Sequence, residues 1–217
     1  VVSWAAQQLA KQHDQPVFLS VGIYRPHVPW YVPQNYFDRF PLDEIQLPRH
    51  LPDDLDDVPA AGQAMAKRHW HKWITENGQW NKAVQGYLAS LSFADDMVGE
   101  LLVALDNGPM AGDMLIVFWG DHGYHLGEKK NWEKFALWED TTHVPLIIID
   151  PRRTKPGTRC ESPVSLLDLY PTLVELCGLD PTPQTLEGRS LVKHLAEPNA
   201  KTRRVAVTTQ GKGNHAV

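Results

Sequence analysis

Two kinds of hydrophobic pattern alternate along the chain. One is the short run that is apolar throughout; the other is the longer stretch in which apolar residues return every third or fourth position. The clearest of the second kind is Trp80 to Leu105, where Val84, Tyr87, Leu88, Leu91, Val98, Leu101, Leu102 and Leu105 share one helical face. Asn107-Gly108-Pro109 stops it. Weaker helical patterns cover residues 3–13, Gln34 to Phe40, Leu166 to Cys177 (closed by Gly178) and Leu191 to Leu195. The apolar runs Pro16 to Ile23, Met114 to Trp119 and Val144 to Ile149 read as strands buried on both faces, the habit of parallel sheets flanked by helices. Strand, helix, strand, loop, strand, helix predicts an α/β layered fold. Residues 41–78 read as irregular: proline-rich, then acidic over Asp53-Asp54-Leu55-Asp56-Asp57, then rich in Trp and His over His69-Trp70-His71-Lys72-Trp73. A long loop of this sort usually serves a site, here as an excursion over its rim. The acidic run lacks the glycine and glutamate register of an EF-hand and reads as a solvated turn.

Composition narrows the function classes. With 217 residues, 42% hydrophobic and 22% charged, the chain can bury an ordinary core. A net charge of −5 argues against a general nucleic-acid binder, which needs a basic footprint. No apolar run reaches the roughly 18 residues of a membrane span. Both ends read as cut: the chain opens on Val1-Val2-Ser3-Trp4 in a helical pattern, and a β-like run from Arg204 to Thr209 has no closing element. Cys160 and Cys177 have no metal or C-x-x-C spacing, and Cys177, within an apolar helical stretch, reads as a buried thiol.

The chemistry concentrates where Met114 to Trp119 ends in Gly120-Asp121-His122-Gly123. In open α/β sheets, ligands bind beyond the carboxyl ends of strands. Flanking glycines let the backbone turn and a ligand approach. Asp121 and His122 offer an oxygen and a nitrogen donor to a divalent cation there; as an alternative, Asp121 caps the next turn and His122 is a satisfied polar residue. The loop that follows, Tyr124 to Phe135, is dense in cations and aromatics, as site loops are.

Four ordered blocks now resemble a known family. They are Gly22-Ile23-Tyr24-Arg25-Pro26-His27-Val28-Pro29-Trp30; Tyr87 to Leu105 around Ala94-Asp95-Asp96-Met97-Val98-Gly99; Gly120 to Glu128 with Trp132, Lys134 and Thr142-His143-Val144-Pro145-Leu146; and Leu166 to Leu179 around Asp168-Leu169-Tyr170-Pro171-Thr172-Leu173. Together they resemble sulfatases of the alkaline phosphatase superfamily, with iduronate-2-sulfatases closest. The resemblance implies an alkaline-phosphatase-like sandwich, with residues 1–200 as the C-terminal portion of the catalytic domain and 201–217 as the start of a smaller C-terminal subdomain. It implies a divalent metal, calcium in this family, held in part by Asp121 and His122. It also implies Lys134 and His27 at the sulfate and leaving oxygen, and a sulfated carbohydrate such as 2-O-sulfo-iduronate as substrate. Arg25, Lys129 and Lys130 are suited to face such an anionic sugar, and Trp70, Trp73 and Trp80 either stack on it or fill a core.

In that family a cysteine within a Cys-x-Pro-Ser-Arg-type motif becomes formylglycine; its hydrate attacks sulfur and then expels sulfate, dividing one displacement into two. Neither Cys160 nor Cys177 lies in such a motif, so the formylglycine is expected upstream of Val1, in an N-terminal half that acts as this segment's partner, and the segment alone is expected to be inactive. The resemblance further implies a periplasmic, secreted or lysosomal location. Two rival readings remain: a phosphodiesterase or phosphonate hydrolase of the same superfamily, and a non-catalytic module binding sulfated glycans.

Overall fold

The computed structural model describes residues 1–200 and 205–217 and forms two compact units. The first unit comprises residues 1–114 and 125–132; the second comprises residues 115–124 and 133 onward.

In the first unit, α1 (Val2–Leu9) and α2 (Gln34–Phe37) pack on a long helix. Between α2 and that helix come α3 (Ala60–Met65) and α4 (Arg68–Glu76), and the long helix itself is α5 (Trp80–Asp106). Of the apolar stripe read from the sequence, Val84 and Leu105 are buried whereas Leu91 and Leu102 are exposed, and Ala89, which the stripe did not include, is fully buried. Arg39 ties the end of α2 to it by donating to Ser92 Oγ at 2.7 Å and Asp96 Oδ2 at 3.0 Å, and Tyr36 meets Phe93 edge-on at 5.3 Å. A small core of Ile74, Trp80, Val84 and Trp132 closes the other end.

The second unit is built on β1 (Ile116–Trp119). Along the chain follow β2 (His125–Leu126, in the first unit), β3 (Trp132–Glu133, of which Trp132 is in the first unit), α6 (Glu139–Thr142), β4 (Leu146–Ile149), α7 (Leu169–Cys177), α8 (Val192–Ala196), β5 (Thr208–Thr209) and β6 (His215–Ala216). β1 pairs with β4 from Ile116 opposite Ile149 to Trp119 opposite Leu146. The entry to α7 is stitched by buried polar groups. Ser165 and Asp168 form a reciprocal cap; Asp168 also accepts from the Arg189 amide at 2.7 Å, and Thr172 Oγ1 accepts from the Leu191 amide at 2.8 Å. Gly178 ends α7 in the left-handed conformation at φ 61°, as its glycine predicts. At the turn after β4, Asp150 is fully buried and accepts from the backbone and side chain of Arg152 and from Arg153. Burial alone would raise its carboxyl; those donors and charges outweigh burial and hold it below the usual carboxylate range.

Several expectations change. The β1–β4 pair is antiparallel, whereas a mostly parallel sheet was expected. Nor are these strands buried on both faces: Phe118, Trp119, Ile147 and Ile149 are exposed. An apolar run says nothing of direction, and a long connection can return a strand either way. The Pro16–Ile23 run joins no sheet ladder among the described residues. Val17, Leu19, Val21 and Ile23 are half-buried and Phe18, Ser20 and Gly22 exposed, a strand's period of two without the hydrogen-bonded neighbour that completes one. Residues 60–76, read as irregular, contain α3 and α4. Their histidines, tryptophans and one glycine have modest helix propensity, and neither helix has a side-chain cap to announce it. Cys177 is exposed, not buried, because it is the last residue of α7. The late β-run does have a partner: β5 pairs with β6. Its start at Arg204, and the expected boundary after residue 200, fall on residues outside those described.

Candidate active site

The Gly120–Gly123 turn lies at the carboxyl end of β1, where the strand pattern places it. The Gly120 amide donates to the Pro145 carbonyl at 3.0 Å, carrying the pairing one residue past the strand. The Gly123 amide donates to the Thr141 carbonyl at 3.0 Å and the Tyr124 amide to the Asp140 carbonyl at 2.8 Å. α6 therefore holds the turn by backbone bonds. A side chain at Gly123 would collide with the Asp140 carbonyl, so only glycine permits this approach.

Between the anchored ends, the Asp121 side chain is 84% exposed and His122 is half-buried. The His122 Nδ1 lies 2.8 Å from the Gly123 carbonyl. A carbonyl only accepts, so this bond assigns the proton to Nδ1 and the lone pair of the neutral ring to Nε2. Nε2 stands 3.6 Å from Asp121 Oδ2. Two donors each about 2.3 Å from one ion, at right angles, stand about 3.3 Å apart, so the pair has nearly the spacing for one cation. Second-sphere bonding of Nδ1 to a carbonyl is also how metal-ligating histidines are oriented. The fit covers only part of a coordination shell: among the described residues no group of three or more His, Cys, Asp or Glu gathers as a metal site. Lys134 lies in the same unit, half-buried, its Nζ 5.9 Å from the centre of the Phe135 ring.

The His27 loop belongs to the first unit. Trp30 anchors it: its indole donates to the Pro26 carbonyl at 3.0 Å, meets Tyr87 edge-on at 6.5 Å and packs over Gly86, where a Cβ would stand 2.8 Å from the ring. The Tyr24 hydroxyl donates to the Val28 carbonyl at 2.8 Å. His27 Nδ1 lies 2.7 Å from that same carbonyl and 3.0 Å from the Tyr24 oxygen, so Nδ1 carries the proton and Nε2 is the atom through which the ring would exchange one. Arg25 braces the loop, donating to the Tyr31 carbonyl at 3.2 and 2.9 Å and to the His27 carbonyl at 3.3 Å. Its donors face the loop's own backbone.

Lys129 and Lys130 divide in role. Lys129 donates from its ammonium to Asp54 Oδ1 at 2.7 Å and to the Asp54 carbonyl at 3.0 Å, and from its amide to Asp54 Oδ2 at 3.2 Å. Asp54 is thus drawn out of the solvated turn expected for the acidic run, with Leu55 buried beside it. Lys129 and Lys130 both adopt positive φ, 53° and 51°, a strained turn for residues with side chains. Burial first, then the charges of His50 and Lys130, holds the His71 imidazole below its ordinary value. Trp80 is buried, whereas Trp70 and Trp73 are exposed on α4.

The Asp54–Lys129 clamp gives a stability prediction. Asp54→Ala and Lys129→Ala are each expected to cost about 1–3 kcal/mol in urea unfolding, with the double variant costing less than their sum. Burial would raise the Asp54 carboxyl; hydrogen bonds and charge from Lys129 outweigh it and place it below the usual range. A carboxyl lowered on folding stabilises above its unfolded value of about 3.9 and loses that contribution as pH falls through the folded value. The difference between wild type and Asp54→Ala should therefore shrink in acid. A difference that is constant down to that range would contradict the clamp.

Comparisons with known proteins agree with this architecture. The family model described as Sulfatase matches residues 1–179. The chain is 43% identical over 219 residues to a sulfatase of Formosa agariphila, across 100% of this chain and 43% of that protein. It is 31% identical to iduronate 2-sulfatase of Homo sapiens, across 85% of this chain and 42% of that protein. Among solved structures, a phosphonate monoester hydrolase from Silicibacter pomeroyi superposes with a TM-score of 0.71 at 26% identity, over 85% of this chain and 38% of that one. An α/β fold whose β1 ends in a fixed Asp-His turn and whose structural neighbour is such a hydrolase places the chain in the alkaline phosphatase superfamily. Within it, the chain belongs to the sulfatase family. It spans 43% and 42% of the lengths of the two curated relatives.

Proposed function

We propose that the complete gene product hydrolyses sulfate esters of a sulfated carbohydrate, of the 2-O-sulfo-iduronate kind, and that this chain supplies the later half of its active site. The observation that carries the reading is the Asp121–His122 pair, set at 3.6 Å at the end of β1 and held by the backbone of α6. The 31% identity to an iduronate 2-sulfatase supports the sugar.

Hydrolysis breaks the sulfur–oxygen bond, releases sulfate and leaves an alkoxide that must take a proton. Asp121 and His122 would hold a divalent cation, which when bound supplies positive charge to the ester's oxygens. Calcium is the proposed ion; a nitrogen donor is uncommon for it, so the ion requires assay. The Lys134 ammonium is proposed to face the departing oxygen as a fixed charge. His27, with Nδ1–H turned to the Val28 carbonyl, would deliver a proton from Nε2 to the alkoxide when doubly protonated. Arg25 keeps the loop carrying His27 in shape, and Lys130 is the more available of the two adjacent lysines for a substrate anion. The formylglycine nucleophile is proposed to come from sequence outside these residues.

Sulfate release by the complete gene product is tested against a sugar sulfate and a phosphonate monoester. Faster turnover of the sulfate is the expected result; preference for the phosphonate, the second reading favoured by the structural neighbour, would replace it. His27→Gln should lower turnover of the sugar sulfate about 10²–10³-fold, and an aryl sulfate, with its better leaving group, distinctly less. Equal losses on both would remove His27 from the proton-transfer role.

A further inference from the structure

The long helix α5 carries two glycines, a residue that weakens a helix interior relative to alanine. At Gly99 nothing lies within 4 Å of where a Cβ would stand. Gly86 is buried and differs: a Cβ there would stand 2.8 Å from Cε3 of the Trp30 ring, 3.3 Å from its Cδ2 and 3.4 Å from the Trp30 Cβ. The crowding runs from the ring back to the root of the side chain, so Trp30 cannot clear a methyl group by swinging its tip. Trp30 also meets Tyr87 edge-on at 6.5 Å and packs against the core of Ile74, Trp80, Val84 and Trp132. From that seat its indole donates at 3.0 Å to the carbonyl of Pro26, the residue before His27. Tyr24 and Arg25 bond the loop to itself, whereas Trp30 carries it onto α5.

We propose that Gly86 and Trp30 are positioning residues for proton delivery: the missing side chain at Gly86 lets Trp30 lie against α5, and Trp30 sets where His27 Nε2 stands. The inference rests on the sulfate-ester reading for the role of His27, but the contact of Trp30 with Gly86 is independent of it.

Carbon atoms in ordinary contact sit about 3.5 Å apart, so a methyl group at position 86 forces Trp30 back by roughly 0.7 Å. The indole bond to Pro26 passes that movement to the adjoining histidine. A misplacement on the order of 1 Å costs about a hundredfold at a reacting centre, and a smaller one costs less. The helix itself gains from the same substitution, because alanine is the better helix former, and this offsets the crowding. Turnover and stability should therefore part company, which a glycine needed only for packing would not allow.

Turnover of a sugar sulfate by the complete gene product tests this. Gly86→Ala should lower kcat about tenfold and leave KM within about twofold, with a urea midpoint close to that of wild type. An aryl sulfate, which needs the proton less, should lose distinctly less. Added to His27→Gln, Gly86→Ala should change kcat less than about twofold, because its effect passes through the group already removed. Trp30→Phe leaves α5 untouched and removes the indole N–H. It should show the same loss in kcat and the same silence over His27→Gln, and it decides the matter if Gly86→Ala does not fold. A wild-type kcat in Gly86→Ala, or a loss that adds in full to that of His27→Gln, would overturn the proposal. The Trp30 indole N–H resonance, assigned with Trp30→Phe, separates this from failure of the hydrolase reading. It should move in Gly86→Ala and stay in Gly99→Ala. A moved resonance with no sulfate release by wild type would keep the coupling of Gly86 to the His27 loop and remove the hydrolase reading; an unmoved resonance would overturn the coupling whatever the activity.

Discussion

Asp121→Ala is expected to reduce sulfate release by the complete gene product at least about 10³-fold, the loss that follows when several kcal/mol of charge stabilisation leave the transition state. The same variant should leave the urea unfolding midpoint where it is, because the side chain is 84% exposed and stands 3.6 Å from His122. That pairing of outcomes separates a ligand from a structural carboxylate. A buried Asp such as Asp150 would lower both readouts when removed, since it accepts from Arg152 and Arg153. Bound cation, measured by elemental analysis after dialysis, should fall together with turnover. Turnover equal to wild type would rule Asp121 out as a ligand and take the proposed mechanism with it.

Gly123→Ala is the second large effect, and its origin is steric. A Cβ at that position would meet the Asp140 carbonyl, between two backbone hydrogen bonds of 3.0 and 2.8 Å that fasten the turn to α6. Backbone cannot step aside as a side-chain tip can, so the turn must lift from α6 and carry Asp121 and His122 with it. The expected cost is about 1–3 kcal/mol in stability. Turnover should fall about 10²-fold, because a displacement of about 1 Å is enough to lose alignment at a reacting centre. Gly99→Ala provides the contrast: on α5 nothing lies within 4 Å of the new methyl, and helix propensity predicts a neutral or slightly stabilising change. If Gly123→Ala matched Gly99→Ala in both readouts, the fixed geometry of the turn would be irrelevant to function.

What the sequence made legible was set by local physics. α5, the cores of β1 and β4, α7 with its Gly178 stop, and the Asp121–His122 turn are each dictated within a few residues by periodicity, by glycine, or by the abrupt end of an apolar run. The antiparallel direction of β4 depends on how a long connection returns, which no local pattern encodes. The Asp54–Lys129 clamp joins residues 75 positions apart, so the acidic run read as solvent-facing and Lys129 read as a substrate contact. His71 likewise takes its character from His50, Lys130 and Trp132, all distant along the chain. Arg25 was legible as a cation near the His27 loop, but its engagement with the carbonyls of Tyr31 and His27 depends on the path of the proline turns.

The central claim, a cation shared by Asp121 and His122, is tested most directly by a crystal structure of the complete gene product grown with a divalent cation and sulfate. The account predicts anomalous density within about 2.5 Å of an Asp121 carboxylate oxygen and of His122 Nε2, with sulfate on the ion's far side. A cation bound elsewhere, or Asp121 and His122 turned away from one another with no ion between them, would contradict it.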